Sequence, residues 1–373
     1  MNIYMPIELS KNKHINLIFI DYTCAETHIS IKNKAIGASE YQFYNLIEVL
    51  SKTNNIKVSC YNHYHESTNL DNIIYNNIKD LANAAIPIAN TKIIIQRFYP
   101  YDILKKFSDY DQFLWIHDTP GYHTFLGDYL FDDNKYMNKF MNALNFFANN
   151  PKIYFIMNSE NTKKLYNYYL LQHSIKIDDN RIKVIYNILY ENEFKNANNN
   201  NLIINKNNIV FASSWTKNIN KIIEIFSYIY NKDKTYKLIL MSPGYEDKEY
   251  VENVMKSLAH LKNNVVIYGP VPKDKYAEII KSSLCVLAPR FIETFGSIFA
   301  ESYYLKTPVI CDIESGAVKE IIGKVNVVNY DNKIQVFSKI NYIKKYRDRL
   351  NIKLDDKFLL KHNLKLWLDL ISI

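Results

Sequence analysis

The segment Pro289-Arg290-Phe291-Ile292-Glu293-Thr294-Phe295-Gly296-Ser297-Ile298-Phe299-Ala300-Glu301 carries the densest chemical information in this chain. An apolar run, LCVLAP, ends at Pro289, and a helical pattern, GSIFAESYYLK, opens at Gly296. Where a strand runs through a loop into a helix, the first backbone N–H groups of the helix have no intrahelical partner. The amides around Phe295, Gly296 and Ser297 therefore form a natural seat for phosphate. A glycine there lets the backbone approach a ligand closely. Glu293 stands before the helix. Glu301 lies about one and a half turns inside it, roughly 7–8 Å from Gly296 along the axis at ~1.5 Å per residue. Carboxylates on both sides of a phosphate seat would accept hydroxyl hydrogen bonds, which suits a nucleotide sugar with ribose at one end and a hexose at the other. Taken alone, the same pair also reads as an ordinary helix-start acid and a solvated face residue.

These residues need strands and helices to place them, and the chain supplies both in alternation. INLIFI (15–20), IKVSCY (56–61), TKIIIQRF (91–98), DQFLWIH (111–117), KIYFIMNS (152–159) and RIKVIYN (181–187) read as strands. YQFYNLIEVLSK (41–52) has apolar residues at 43, 46, 47 and 50, the spacing of a helix. Residues 192–207 are mostly Asn and Lys, which reads as a linker. A second cycle follows: strands at NIVFASS (208–214), YKLILMSPG (236–244), NVVIYGPV (264–271), LCVLAP (284–289) and TPVICD (307–312). Helices are expected at 219–231, 273–283 and 296–306, and a last one with a broad apolar face at 355–373. Strands alternating with helices imply an α/β fold with parallel sheets. The expected division is 1–191, a linker at 192–207, 208–354, and a final helix at 355–373 that must dock on something.

Composition narrows the class. With 373 residues, 48% hydrophobic and 23% charged, the chain has the length for two domains and the make-up of a globular protein. The 46 basic and 38 acidic residues give a net charge of +8. That balance suits phosphate-bearing ligands and weak peripheral association with an anionic membrane. The lysines are dispersed, so a nucleic-acid arm is not expected. The start, MNIYMPIELSKNKH, has no apolar segment leading to a cleavage site, and no apolar run reaches membrane-spanning length, so a cytoplasmic location is expected. Cys24, Cys60, Cys285 and Cys311 have neither metal nor redox spacing and read as buried thiols. His63 and His65 look like a metal pair just past a strand, but metal binding is not expected of them. Asp312 and Glu314 resemble a metal pair only loosely. No metal and no cofactor are expected.

The stretch from Glu293 to Glu301 resembles the Glu, seven residues, Glu signature of retaining glycosyltransferases of the GT-B fold, above all glycosyltransferase family 4. The flanks match as well: ESYYLKTPVICDIESGAVKEII (301–322) is similar to the family's helix, strand, Gly turn and Glu, with Gly316 and Glu320 in that turn. VVIYGPVPKDKYAEII (265–280) resembles the segment that holds the nucleotide base, through Gly269 and Val271. The match runs well over 208–322. By this resemblance Thr294, Phe295, Gly296 and Ser297 serve the donor phosphates, Glu301 the ribose side, and Glu293 the sugar. Lys217 corresponds to the family's diphosphate-binding lysine. The family's accompanying Arg has no counterpart, Ser213 standing nearest, and the Gly after the Lys is Asn218. Arg290 is a candidate substitute for the missing charge.

In the first half, Gly37-Ala38-Ser39-Glu40 resembles the family's Gly-Gly-x-Glu loop near the donor phosphates and the acceptor, with Ala38 in place of one Gly. On its own, GASE reads as a helix start capped by Ser39. His117, followed by Asp118, resembles the family's active-site His at a strand end; Asp118 could fix its tautomer or raise its pKa. The resemblance implies two Rossmann-like domains facing a cleft, with the final helix crossing back to the first. The expected activity is transfer of a hexose-type sugar from a nucleotide diphosphate sugar to a glycan, lipid or protein-linked acceptor, with retention. The other readings are a GT-B protein that binds nucleotide sugar or glycan without turnover, and a GT-B sugar-nucleotide epimerase.

Overall fold

The computed structural model describes residues 14–33, 36–64, 66–97, 101–120, 133–199, 201–242, 244, 246–289, 293–312, 314–323 and 326–372. The chain forms two compact units. The first comprises Met1–Lys32, Ala38–Asn187 and Lys361–Ile373; the second comprises Asn33–Gly37 and Ile188–Leu360.

The first unit is built on β1 (Ile15–Asp21), β2 (Ile56–Asn62), β3 (Thr68–Leu70), β4 (Ile73–Asn77), β5 (Thr91–Gln96), β6 (Asp111–Ile116), β7 (Ile153–Met157) and β8 (Ile182–Val184). Among the described residues the sheet order is β3-β4-β2-β1-β5-β6-β7-β8. The pairs are parallel except for β3 against β4. The central strands are buried along nearly their whole length, as parallel strands covered on both faces must be. Helix Ala38–Ser51 buries Phe43, Leu46, Ile47 and Leu50, the residues whose spacing marks it in the sequence. The antiparallel β3–β4 hairpin has no counterpart in the sequence reading. Its loop is Asp71-Asn72, with φ of +48° and +68°, and a two-residue hairpin loop of this hand needs both positions left-handed. Asp and Asn tolerate that conformation better than most residues.

The second unit holds β9 (Asn205–Ala212), β10 (Lys237–Met241), β11 (Val265–Tyr268), β12 (Ser283–Ala288) and β13 (Val309–Cys311), in the order β11-β10-β9-β12-β13, all parallel. Ile222, Ile225, Phe226 and Ile229 of helix Ile219–Lys232 pack with Phe211, Leu238, Leu240 and Leu287 of the strands in one core.

The structure departs from the expected linker. Glu191–Phe194 and Lys195–Asn199 form helical turns, and β9 already starts at Asn205. Phe194 and Ala197 are buried, and Lys281 Nζ donates to the carbonyls of Ala197 (2.8 Å) and Asn198 (3.0 Å). Two apolar residues three apart give this Asn-rich tract a face to bury, and a lysine satisfies carbonyls near the helix end. The unit boundary accordingly falls at Asn187 and not past residue 191.

The end of the chain is divided between the units. Asp355 caps a short turn, Asp356–Phe358, and Phe358 packs its ring 6.1 Å from that of Phe295 in the second unit. The final helix, Leu360–Ile371, then packs on the first unit, with the Trp367 ring 4.8 Å from Trp115. The outgoing and returning segments pair with one another, the Leu189 amide donating to the Phe358 carbonyl at 2.9 Å. Two α/β units with the last helix on the first are the architecture the resemblance implies. All four cysteines are free thiols; Cys60, Cys285 and Cys311 are buried, and Cys24 is half-buried. Among the described residues no helix is long and apolar enough to cross a membrane.

Candidate functional site

In an open parallel sheet, ligands bind beyond the carboxyl ends of the strands, where the strand order reverses. In the second unit that point lies between β9 and β12. A pocket opens there, lined by Ser213, Lys217, Pro289, Glu293, Phe299 and Ser315 among others. Residues from both chemistry-bearing loops of the sequence thus meet at one place.

The loop after β9 is held from several sides. The Trp215 amide donates to Glu246 Oε1 at 2.9 Å, the Ser242 hydroxyl bonds the other oxygen of Glu246, and Tyr250 donates to the Trp215 carbonyl at 2.9 Å. Burial would raise the Glu246 pKa, but its hydrogen bonds from Ser242 and Trp215 outweigh that and hold it below the ordinary value. Asn218 begins helix Ile219–Lys232 at φ +69°, ψ +41°. A Gly is the usual choice for that conformation and Asn the next best, so Asn218 suits this left-handed position. Lys217, one residue earlier, forms an ion pair with Glu293.

The loop after β12 is equally constrained. Gly296 sits at φ +84°, and a Cβ there would lie 2.5 Å from the Phe299 ring and 2.9 Å from Glu293 Oε2. Gly316, at φ +52°, brings its backbone against this loop, where a Cβ would meet the Phe295 carbonyl at 2.9 Å. The Ala317 amide donates to that same carbonyl at 3.0 Å. Thr294 and Phe295 are buried. Helix Ser297–Tyr304 starts directly after Gly296, and Ser297 Oγ is shielded from solvent with no hydrogen-bond partner among the described residues.

Glu301, in the same helix, is gripped on both oxygens. Lys273 Nζ donates to Oε1 and the Tyr276 hydroxyl to Oε2, each at 2.6 Å. Burial, then the Glu301 charge, keeps the Tyr276 hydroxyl protonated far above its usual range. Gly269 and Val271 lie in the loop after β11, an edge strand two places from β9; Gly269 is exposed. Both precede helix Lys273–Lys281, which carries the two donors to Glu301.

In the first unit the order reverses between β1 and β5. Asp21, at the end of β1, is fully buried and accepts from Gln96 Nε2 (2.7 Å), Tyr44 (3.0 Å) and the Thr23 amide (2.8 Å). Burial raises its pKa. Arg97 follows β5 at φ +59°; its Nε donates to Asp118 at 2.9 Å and its Nη1 pairs with Glu40. Asp118 is engaged by Arg97, and the neighbouring His117 is buried, its ring 4.7 Å from Trp115; burial drives its pKa down to about 3 and outweighs the upward pull of the Asp118 charge, so the ring is neutral. Helix Ala38–Ser51 begins before Ser39, whose hydroxyl donates to Glu40 at 3.0 Å from within the first turn instead of capping it. Gly37 falls in the short segment Asn33–Gly37 that belongs to the second unit.

Sequence reasoning missed Arg97 in the first unit and Lys273, Tyr276 and Glu246 in the second, all of which bond candidate residues or their loops. Helical spacing alone could have shown that Lys273 and Tyr276 share a face. Among the described residues no group of His, Cys, Asp or Glu could hold a metal ion, and His63 Nε2 bonds the Tyr22 carbonyl at 2.9 Å. His65 and Arg290 lie outside the described residues.

Residues 192–356 match the family described as glycosyl transferases group 1, a stretch that lies wholly within the second unit. No curated protein matches the chain. Among solved structures, a glycosyltransferase from Rickettsia africae is similar over 97% of this chain and 98% of its own, with 14% identity and a TM-score of 0.65. A sucrose-phosphate synthase from Thermosynechococcus elongatus covers 96% of both chains at 13% identity and TM-score 0.65. HepE from Anabaena, solved with UDP and glucose, covers 96% of this chain and all of its own at 13% identity and TM-score 0.60. At these identities the likeness is one of fold, and the fold is that of the GT-B glycosyltransferases.

Proposed function

We propose that the protein transfers a hexose-type sugar from a nucleotide diphosphate sugar to a glycan, lipid-linked or protein-linked acceptor, with retention of anomeric configuration, in the manner of glycosyltransferase family 4. The observation that carries this reading is the meeting of Lys217 and Glu293 at the carboxyl ends of β9 and β12, in the unit that matches glycosyl transferases group 1.

The donor diphosphate sits on the amides around Phe295, Gly296 and Ser297, with Ser213 beside it and Lys217 supplying the positive charge. As the sugar–phosphate bond breaks, negative charge grows on the leaving oxygen, and a fixed cation and helix amides stabilise it there. Glu293 holds the sugar's hydroxyls and Glu301 the ribose. Gly269 and Val271 border the base. Gly37 and Ser39 serve the donor, and the acceptor lies on the first unit near His117, which as a neutral imidazole can exchange hydrogen bonds with a sugar hydroxyl. Substitution occurs on the face the diphosphate leaves: the acceptor oxygen forms the new bond to the anomeric carbon as the old C–O bond breaks, and its proton passes to the departing phosphate oxygen. No metal is required for these steps. The enzyme works in the cytoplasm.

Two measurements test this. Thermal shift against nucleotide diphosphates should show one base raising the melting temperature. Release of that nucleotide from its sugar conjugate should then depend on acceptor. Binding without any release would leave a nucleotide-sugar-binding protein in place of an enzyme.

A further inference from the structure

Glu301 is held in a way that the assignment of a ribose contact does not require. Lys273 and Tyr276 stand three residues apart, so they share one face of helix Lys273–Lys281. From that face each donates to a different oxygen of Glu301, both at 2.6 Å. The Lys273 ammonium is itself fixed, lying 4.6 Å from the centre of the Tyr276 ring and 5.1 Å from that of Phe194. Such contacts with ring faces hold a cation without taking up its donors. The carboxylate is therefore locked in plane and orientation by two rigid donors from one helix. An ionised carboxylate accepts about four hydrogen bonds. With one taken on each oxygen, each oxygen keeps one acceptor direction. The Glu301 side chain is 14% exposed, so part of it remains open to a ligand. Two acceptor directions side by side on one carboxylate match two hydroxyls on adjacent carbons.

We propose that Lys273 and Tyr276 are positioning residues that aim Glu301 at the vicinal 2′,3′-diol of the donor's ribose, so that the site selects ribonucleotide over 2′-deoxyribonucleotide diphosphates. This rests on the reading that Glu301 faces the donor ribose. A clamp that merely tied helix Lys273–Lys281 to helix Ser297–Tyr304 would support stability and leave the 2′-hydroxyl unread.

The test is calorimetric titration of the full chain with UDP, GDP and ADP and with their 2′-deoxy counterparts. Wild type should bind one ribonucleotide about tenfold or more tighter than its deoxy form, the worth of one charge-assisted hydrogen bond. Lys273→Met keeps the aliphatic stem on the two rings and removes the charge. Tyr276→Phe removes a single oxygen. Each should pull the ribo-to-deoxy ratio toward one, and Lys273→Arg should restore much of it. Should Lys273→Met not fold, Tyr276→Phe carries the test alone. A ratio unchanged from wild type in Tyr276→Phe, with the base preference intact, overturns the positioning role while the donor reading stands. A wild-type chain that binds none of the six nucleotides overturns the donor reading, and the positioning role with it.

Discussion

Lys217 and Glu293 hold each other's charge at the head of the pocket. Replacing Lys217 by Ala removes the cation proposed for the diphosphate and leaves the mostly buried Glu293 carboxylate without that ion pair. The expected result is a loss of roughly a hundredfold or more in kcat/KM. The loss should be equal for every donor accepted, since all share the diphosphate; kinetics with several donors check this, and a variant that keeps most of its rate would assign the phosphates to another group. His117 yields a pH prediction. Its folded pKa, lowered to about 3 by burial, lies below the unfolded value of about 6.5. Between those limits the unfolded chain binds the proton and the folded one does not, so stability falls as pH drops, by up to ~1.4 kcal/mol per unit from this group. Denaturant melts across acidic buffers should show that slope in wild type and a shallower one in His117→Gln. Turnover measured on the same variant tests the proposed sugar contact; a fully active His117→Gln removes His117 from the site. The two glutamates stand out as candidates in the sequence because their spacing and flanking strand sit in one short stretch. Arg97 was not, because its partners Glu40 and Asp118 lie 57 and 21 residues away and only the sheet brings them together.

At the scale of elements, the loop between β12 and helix Ser297–Tyr304 depends on one left-handed residue. In Gly296→Ala the new methyl would meet the Phe299 ring and the Glu293 carboxylate at a φ that L-residues rarely adopt. A cost of about 1–3 kcal/mol from the backbone alone is expected. Displacement of Glu293 should add a loss of donor affinity beyond what the lower stability explains. Melting temperature and nucleotide titration on the same preparation separate the two effects. The strands were readable as apolar runs because buried parallel strands leave no polar face. The β3–β4 hairpin was passed over because its strands are short and its turn is Asp-Asn, a weaker signal than Asn-Gly. The helical turns at 191–199 were hidden by composition: Asn and Lys dominate, and only Phe194 and Ala197 carry the buried face.

For the whole molecule, the first unit is discontinuous in sequence, and the helix Leu360–Ile371 completes it. Trp367 is fully buried against Trp115. Trp367→Ala should cost about 3–5 kcal/mol, and the loss should be confined to the first unit. Hydrogen exchange would register it as faster exchange of the β5 and β6 amides, with β9 and β12 unchanged; uniform loosening of both sheets would contradict independent units. The docking of the last helix was foreseeable from its broad apolar face, whereas the boundary at Asn187 was not, since no break in composition marks it. This arrangement also sets an order of assembly as the chain is made. All of Ile188–Leu360 is synthesised between the eighth strand and the helix that covers Trp115. At ~5–20 residues per second that is a wait of roughly ten to thirty-five seconds. The unit made second can close first, while the unit made first stands with an apolar face uncovered, a client for whatever chaperone reaches it before its own last helix does.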